Sequence, residues 1–380
     1  LNLLSVTFVV LICGGISIVM QTVLGLTNVE ALVLTIGFVF GYIMVGGTYA
    51  HAYTNTMQGI IMAVVAVVIV ASGLHHLADG PGAMLARIGE QDANLVSLVN
   101  AKAPLFSSYF SVYVSGFVIG FALVCQPHIL TKALYVKTDR DVRRYLVVTI
   151  LVSLVFTALL LVGFFARLTD LPKEAITDPV TGAILQDRVM AAYLAHTFDP
   201  VTLAFVTVAV LAAGMSTLDG ILVALSSIAA NDLYLGVGFA RHLDEPSRQR
   251  RAQRVSQLVL VALGVAAFVL ALNPPKLLGV FGQIGVYGII AAGAVPVAAG
   301  VWLPNVGSRA AFAAAALGAG THFFCYLGRG VLGVTDFSNP AVTATVGLFV
   351  SAAAVLPAAV THLLGRRVSA ASARASAAVA

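Results

Sequence analysis

The sequence predicts an all-α, polytopic membrane protein, and three observations carry that prediction. Of the 380 residues, 59% are hydrophobic and only 10% charged, against roughly 25% charged in an average soluble domain. Apolar runs long enough to cross a hydrocarbon core of about 30 Å, which takes about 20 helical residues, recur along the whole chain. The runs are continuous rather than alternating, so they read as helices and not as barrel strands.

About ten transmembrane spans follow in order. Residues 3–24 and 29–47 are almost wholly apolar, and 54–74 resumes after a more polar stretch. Residues 106–125 end at Gln126-Pro127, where a proline lacking a backbone N–H stops the helix. Residues 145–166 emerge from a basic loop, 200–231 form the longest run, and 254–272 follow a cluster of arginines. Residues 277–302 open on Asn-Pro-Pro-Lys, and 308–327 and 341–363 complete the set.

Loop charge predicts orientation. Lys132, Lys137, Arg140, Arg143 and Arg144 lie between spans four and five; Arg241, Arg248, Arg250, Arg251 and Arg254 lie between six and seven. Arg309 and the tail residues Arg366, Arg367 and Arg374 fall on the same side, which the positive-inside rule makes cytoplasmic. Both termini of the chain are then cytoplasmic. Arg87, Lys102, Arg167, Lys173, Arg188, Lys276 and Arg329 are scattered on the other side with most of the acids. The net charge of +5 is therefore a topology signal and no nucleic-acid signature.

Material outside the membrane is modest. Loops 75–105 and 167–199 are the large ones; in the second, Val189, Tyr193 and Phe198 form one apolar helical stripe expected at the outer mouth. The tail 364–380 is Ala/Ser-rich and expected to be disordered. Cys13, Cys125 and Cys325 fall in or beside spans, where small apolar packing is the expected role. The eight histidines are scattered, with no zinc-like spacing. His128 is expected to hydrogen-bond a neighbouring loop, and Trp302 fits an interfacial aromatic belt. The chain begins with Leu1 and enters a span almost at once, so an N-terminal part is expected to be missing.

The run LAAGMSTLDGILVALSS (211–227) places polar groups where lipid is expected. Ala213, Ser216, Thr217 and Gly220 fall at i, i+3, i+4 and i+7, on one helical face. Two hydroxyls are hard, neutral ligands suited to an alkali cation, with neighbouring carbonyls completing the shell. The alternative is that both hydroxyls bond back to the carbonyl four residues earlier. Asp219 is a carboxylate costing about 2.5–3.5 kcal/mol at mid-bilayer on insertion scales, which favours a functional role. Its alternative is a structural partner on a neighbouring helix.

AAGMSTLDGILVALSSIAANDLY resembles the eighth core helix of the sodium:solute symporters, the group of proline, pantothenate, acetate and sugar cotransporters. CQPHILTKALYVKTDRDVRR (125–144) is similar to that family's segment after the sixth core helix, and GGTYAHAYTNTMQGIIM (46–62) to the start of the fifth. The resemblance implies a LeuT-like inverted-repeat fold, with span one matching the third core helix and the first two absent. It implies Na⁺ as the coupling ion, held by the Ala213 carbonyl and the Ser216 and Thr217 hydroxyls with backbone oxygens of the missing first helix. It divides a single transmembrane domain into 1–74 (remainder of the first repeat), 106–302 (second repeat), 308–363 (two additional helices) and the tail.

Two departures from the family pattern bear on function. Members commonly carry Thr-Asp-Thr where this chain has Thr54-Asn55-Thr56, while Asp219 supplies a carboxylate that several members lack. Asn55 and Asp219 together are candidates for a second cation or proton site. Proline carriers place aromatic residues where this chain has Ile119 and Leu123. That aliphatic lining, with room at Gly116 and Gly120 and with Gln283 and Tyr287 on span eight, points to a small carboxylate of the monocarboxylate or pantothenate type; Gly116, Ile119, Leu123, Gln283 and Tyr287 are the candidate substrate residues. Packing is the alternative for each.

The expected activity is sodium-coupled secondary active symport by alternating access at the plasma (inner) membrane. The partners are a small solute, Na⁺ and membrane lipid, with no nucleic acid and no organic cofactor. A proline-like amino-acid symporter is the alternative solute class. A sensor domain is the alternative function, because some relatives carry signalling kinase modules; the short Ala/Ser tail argues against it. An enzyme would need a His or a second acid converging on Asp219, and none lies nearby in sequence.

Overall fold

The computed structural model describes residues 2–126, 129–130, 136–238, 244–275, 277–303, 306–357 and 360, with backbone alone at 2–3 and 45–53. Pro127, His128, Lys132, Arg241, Lys276, Arg366, Arg367, Arg374 and the 364–380 tail lie outside the described residues. Among those described, the only β-pairing is one isolated bridge, Thr177–Ile184, in a loop. Among the described residues, eight helices are long and apolar enough to cross a membrane, and two shorter apolar stretches, Asn28–Met44 and Phe110–Cys125, accompany them.

Those two account for the difference from ten full spans. The segments expected as spans two and three are one continuous helix, α2 (Asn28–Ser72), of 45 residues. At 1.5 Å per residue it is about 67 Å long, roughly twice the hydrocarbon thickness. A Thr27–Glu30 capping box starts it, and no proline interrupts it. Gly46 and Gly47 cost only about 1 kcal/mol each in a helix interior, which does not end one. The other exception is 110–125, which is not uniformly α: a π turn (Phe110–Ser115) leads into α4 (Gly116–Ala122) and a 3₁₀ turn (Leu123–Cys125).

Three of the remaining helices start at a side chain that accepts from their first backbone N–H groups. α1 spans Asn2–Leu24 and α3 spans Pro81–Gln91. Thr138 caps α5 (Asp139–Ala158), which a turn joins to α6 (Leu161–Leu168). After α7 (Gln186–Thr197), Asp199 caps α8 (Pro200–Ser227) with proline at the first helical position. Asp244 caps α9 (Glu245–Leu272) in the same way. α10 (Leu278–Trp302), α11 (Ser308–Leu327) and α12 (Pro340–Pro357) follow.

The chain forms two compact units. The first comprises 1–97 and 132–282. Its main core joins Val9, Val10 and Cys13 of α1, Leu32, Val39 and Phe40 of α2, Leu218 and Leu222 of α8, and Leu260 and Ala267 of α9. A second core joins Ile69, Met84, Ile88, Phe165 and Tyr193, with Val189 and Phe198 packed against it. The apolar stripe of α7 is thus turned into protein: Tyr193 is buried and its hydroxyl is 3.0 Å from that of Ser72. On α5, by contrast, Val148, Ile150, Leu151 and Leu154 are exposed, an apolar band suited to contact with lipid.

The turn after α2 carries a buried base. The His76 ring stacks on Phe165 at 5.8 Å, and Arg87 donates to the His76 carbonyl at 2.6 Å. Burial, together with the neighbouring His75 ring and Arg87, holds the His76 imidazole below its ordinary pKa. The fold therefore favours the neutral form. Its contribution is complete above the unfolded value of about 6.5 and is lost as pH falls through the lowered folded value. Hydrogen-exchange protection of residues 74–91, corrected for the intrinsic rate at each pH, should fall between pH 7.5 and pH 5, and His76→Gln should flatten that dependence. Identical profiles in both proteins would contradict it.

The second unit comprises 98–131 and 283–380. One face of the 110–125 helix, Ser111, Ser115, Ile119 and Ala122, is buried, as is Gln126 just beyond it. The serine hydroxyls of Ser107 and Ser108 both donate to the Asp336 carboxylate, the first at 2.7 Å. Gly318 of α11 lies against the Ala291 carbonyl of α10, and Gly347 of α12 against the Gly318 carbonyl, so the three backbones approach closely. The free cysteines agree with a packing role: Cys13 and Cys325 are buried and Cys125 is half-buried.

Candidate functional site

The candidate cation residues all lie in the first unit, on α8 and α2. α8 separates its faces sharply: Leu218, Asp219, Ile221 and Leu222 are buried, whereas Ala213, Ser216 and Gly220 are partly open and Thr217 is exposed. Gly214 faces Ile16 of α1 so closely that a Cβ there would collide with it. The hydroxyl of Thr217 donates to the Ala213 carbonyl at 3.1 Å. This is the back-bonded arrangement of a helical threonine, and it sets two oxygens side by side on the open face. The Ser216 hydroxyl instead meets the Asn55 side-chain oxygen of α2. Ala213 and Thr217 therefore form one pair, and Ser216 and Asn55 form another that ties α8 to α2.

Asp219 goes elsewhere. At 100° per residue it sits about 160° around the helix from Thr217, and it is fully buried. The Tyr42 side chain of α2 lies beside it. The sequence pattern joins Asp219 with Asn55, whereas the fold sets Asp219 against Tyr42 and Asn55 against Ser216. Tyr42 is not among the sequence candidates, although a lone phenol in the apolar run FVFGYIM is a signal that could have found it.

The candidate substrate residues all lie in the second unit. Ile119 is buried, Leu123 is half-buried, and Gly116 is exposed with open space where a Cβ would stand. They occupy the helix whose first turns are π and whose last turn is 3₁₀, irregularities that recur at functional sites. The Ser115 hydroxyl on that helix is buried with no hydrogen-bond partner among the described residues. Gln283 and Tyr287, four residues apart on one face of α10, are both half-buried. His322, absent from the sequence candidates, is fully buried and bonds the Ile284 carbonyl between them at 2.9 Å. No group of three or more His, Cys, Asp or Glu side chains suited to a metal ion exists among the described residues.

Comparison with known proteins gives a consistent result. A family model described as the sodium:solute symporter family matches residues 1–318. A sodium/pantothenate symporter of Haemophilus influenzae is 24% identical over 310 residues, covering 80% of this chain and 59% of that protein. A high-affinity proline transporter of Bacillus subtilis is 24% identical over 268 residues, covering 69% and 51%. The chain thus spans about half the length of the curated relatives it matches. Among solved structures, a Na⁺-coupled sialic acid symporter in a substrate-bound outward-open state superposes with a TM-score of 0.66 at 15% identity, covering 93% of this chain and 72% of that one. At that identity the likeness shows the fold, the LeuT-like all-helical architecture expected from the sequence.

Proposed function

The chain belongs to the sodium:solute symporter family, and from that premise we propose that it forms most of a sodium-coupled symporter importing a small organic carboxylate. It is an integral membrane protein, and we place it in the plasma (inner) membrane with its C-terminal end cytoplasmic. The observation that carries the reading is that α8 buries one face and leaves open the other, where the Ala213 carbonyl and the Thr217 hydroxyl lie. Both are neutral oxygens, the donor type that suits an alkali cation. Ser216, tied to Asn55 of α2, adds a third oxygen and links the same stretch to a second helix.

In this reading Na⁺ is held by Ala213, Ser216 and Thr217 together with backbone oxygens of helices outside this chain. A cation shared between two helix groups favours the state in which both contribute, and solute then binds near the midplane. The membrane potential supplies about 2.3 kcal/mol per charge per 100 mV toward uptake. We read Asn55, paired with Ser216, as part of the cation face, and Asp219, beside Tyr42, as a separate candidate for binding a second cation or a proton. The 1–74, 106–302 and 308–363 segments are read as the remainder of one repeat, the second repeat and two added helices.

For the solute, the aliphatic side chains of Ile119 and Leu123 and the space at Gly116 support a small acid, as do the sodium/pantothenate symporters among the relatives. Proline is the second reading, supported by the Bacillus subtilis proline transporters. Proteoliposomes holding the full-length carrier decide between them. Unlabelled pantothenate, pyruvate, lactate and acetate should inhibit sodium-driven uptake of labelled pantothenate or pyruvate, and proline should not. Uptake of proline unaffected by any of these acids would refute the carboxylate reading.

A further inference from the structure

We propose that His322 is a positioning residue for solute binding, holding the α10 backbone at Ile284 and so setting Gln283 and Tyr287; this rests on the reading of α10 as part of the solute site. His322 is fully buried on α11. Its Nε2 is 2.9 Å from the Ile284 carbonyl, an acceptor only, so Nε2 carries the hydrogen. Its Nδ1 is 2.9 Å from the Thr343 hydroxyl of α12, which is also 3.1 Å from the Pro340 carbonyl. One side chain therefore joins three helices through directional bonds.

Volume alone does not call for a histidine here. Phenylalanine fills nearly the same space, and Phe323 and Tyr326 already flank the ring at 4.9 and 6.4 Å. What imidazole adds is a donor aimed at a carbonyl inside another helix, at the residue following Gln283 and one turn before Tyr287. α10 is also held at Ala291, about two turns beyond Ile284, and not at Ile284 itself. Gly318 lies against the Ala291 carbonyl and Gly347 against the Gly318 carbonyl, so α10, α11 and α12 are locked at backbone contact. A lost bond at Ile284 then shows as a change in where Gln283 and Tyr287 sit rather than as a loose bundle.

The test uses the full-length carrier in proteoliposomes with radiolabelled pantothenate, and labelled pyruvate as a second probe. His322→Phe should raise the KM for solute about tenfold while Vmax per folded carrier changes less than twofold. His322→Gln, whose amide N–H can still reach the Ile284 carbonyl, should return KM to within about threefold of wild type. Thr343→Val, which removes only the Nδ1 partner, should raise KM a few-fold, and it carries the test if His322→Phe fails to fold. A purely structural histidine would lower the folded yield or the melting temperature and leave KM alone. Wild-type KM in both His322→Phe and Thr343→Val overturns the assignment, as does equal behaviour of the Phe and Gln variants. Uptake of neither acid sinks the carboxylate reading and this assignment with it. An unchanged KM in Gln283→Ala removes α10 from the solute site. A raised KM in Gln283→Ala with unchanged KM at 322 and 343 overturns the role of His322 alone.

Discussion

Replacing Thr217 by alanine in the full-length carrier should raise the sodium concentration for half-maximal uptake by about tenfold or more. The hydroxyl lies 3.1 Å from the Ala213 carbonyl on the open face of α8, and a cation bound there would take one oxygen from each. Alanine keeps the carbonyl and the helix but deletes one of the two, and tenfold in affinity corresponds to about 1.4 kcal/mol. Ser216→Ala should act in the same direction by a smaller factor, about threefold, because that hydroxyl is shared with Asn55. Sodium titrations of uptake, at matched amounts of carrier, check both. Equal sodium dependence in wild type and both variants would remove the cation from this face.

Gly318→Val should be the most damaging single change to the fold. A Cβ at 318 collides with the Ala291 carbonyl oxygen of α10 and comes within 3.1 Å of the Ser351 Cβ of α12. The obstacle is backbone, so no rotamer change relieves it, and two helices must separate. Overpacking of this kind costs about 1–3 kcal/mol, and more where backbone must move. The melting temperature of the detergent-purified carrier should fall by several degrees or the yield of folded protein should collapse. Gly320→Val is the control, because open space surrounds that position on the exposed side of the same helix. A Gly318→Val melt equal to that of Gly320→Val would mean that the helices tolerate separation.

Much of the architecture is legible in the sequence because it depends on local chemistry. Continuous apolar runs specify membrane helices, since backbone groups in lipid must bond within their own segment. The stretches around Ser216-Thr217, Gln126 and Asn55 carry the family resemblance without any geometry, and the 200–231 run is helical as expected. Helical spacing also places Ala213, Ser216, Thr217 and Gly220 on a common face. The break expected between spans two and three is equally local in origin: a dip in hydrophobicity at 48–53 looks like a connection, but with no proline there the helix runs on.

What periodicity leaves open is which neighbour each face meets, and there tertiary structure decided. It turned Asp219 into the core toward Tyr42 while Ser216 turned to Asn55, although all four residues lie on the same two helices. It buried the α7 stripe against Phe165 and Met84, where the sequence pattern allowed a membrane-facing mouth equally well. It made His322, one of eight scattered histidines, the tie between Ile284 and Thr343, residues 38 and 21 positions away. The reason is the same in each case. A sequence sets the angle between side chains on one helix, about 100° per residue, but the partner across an interface depends on how helices distant in the chain pack together, which no local pattern encodes.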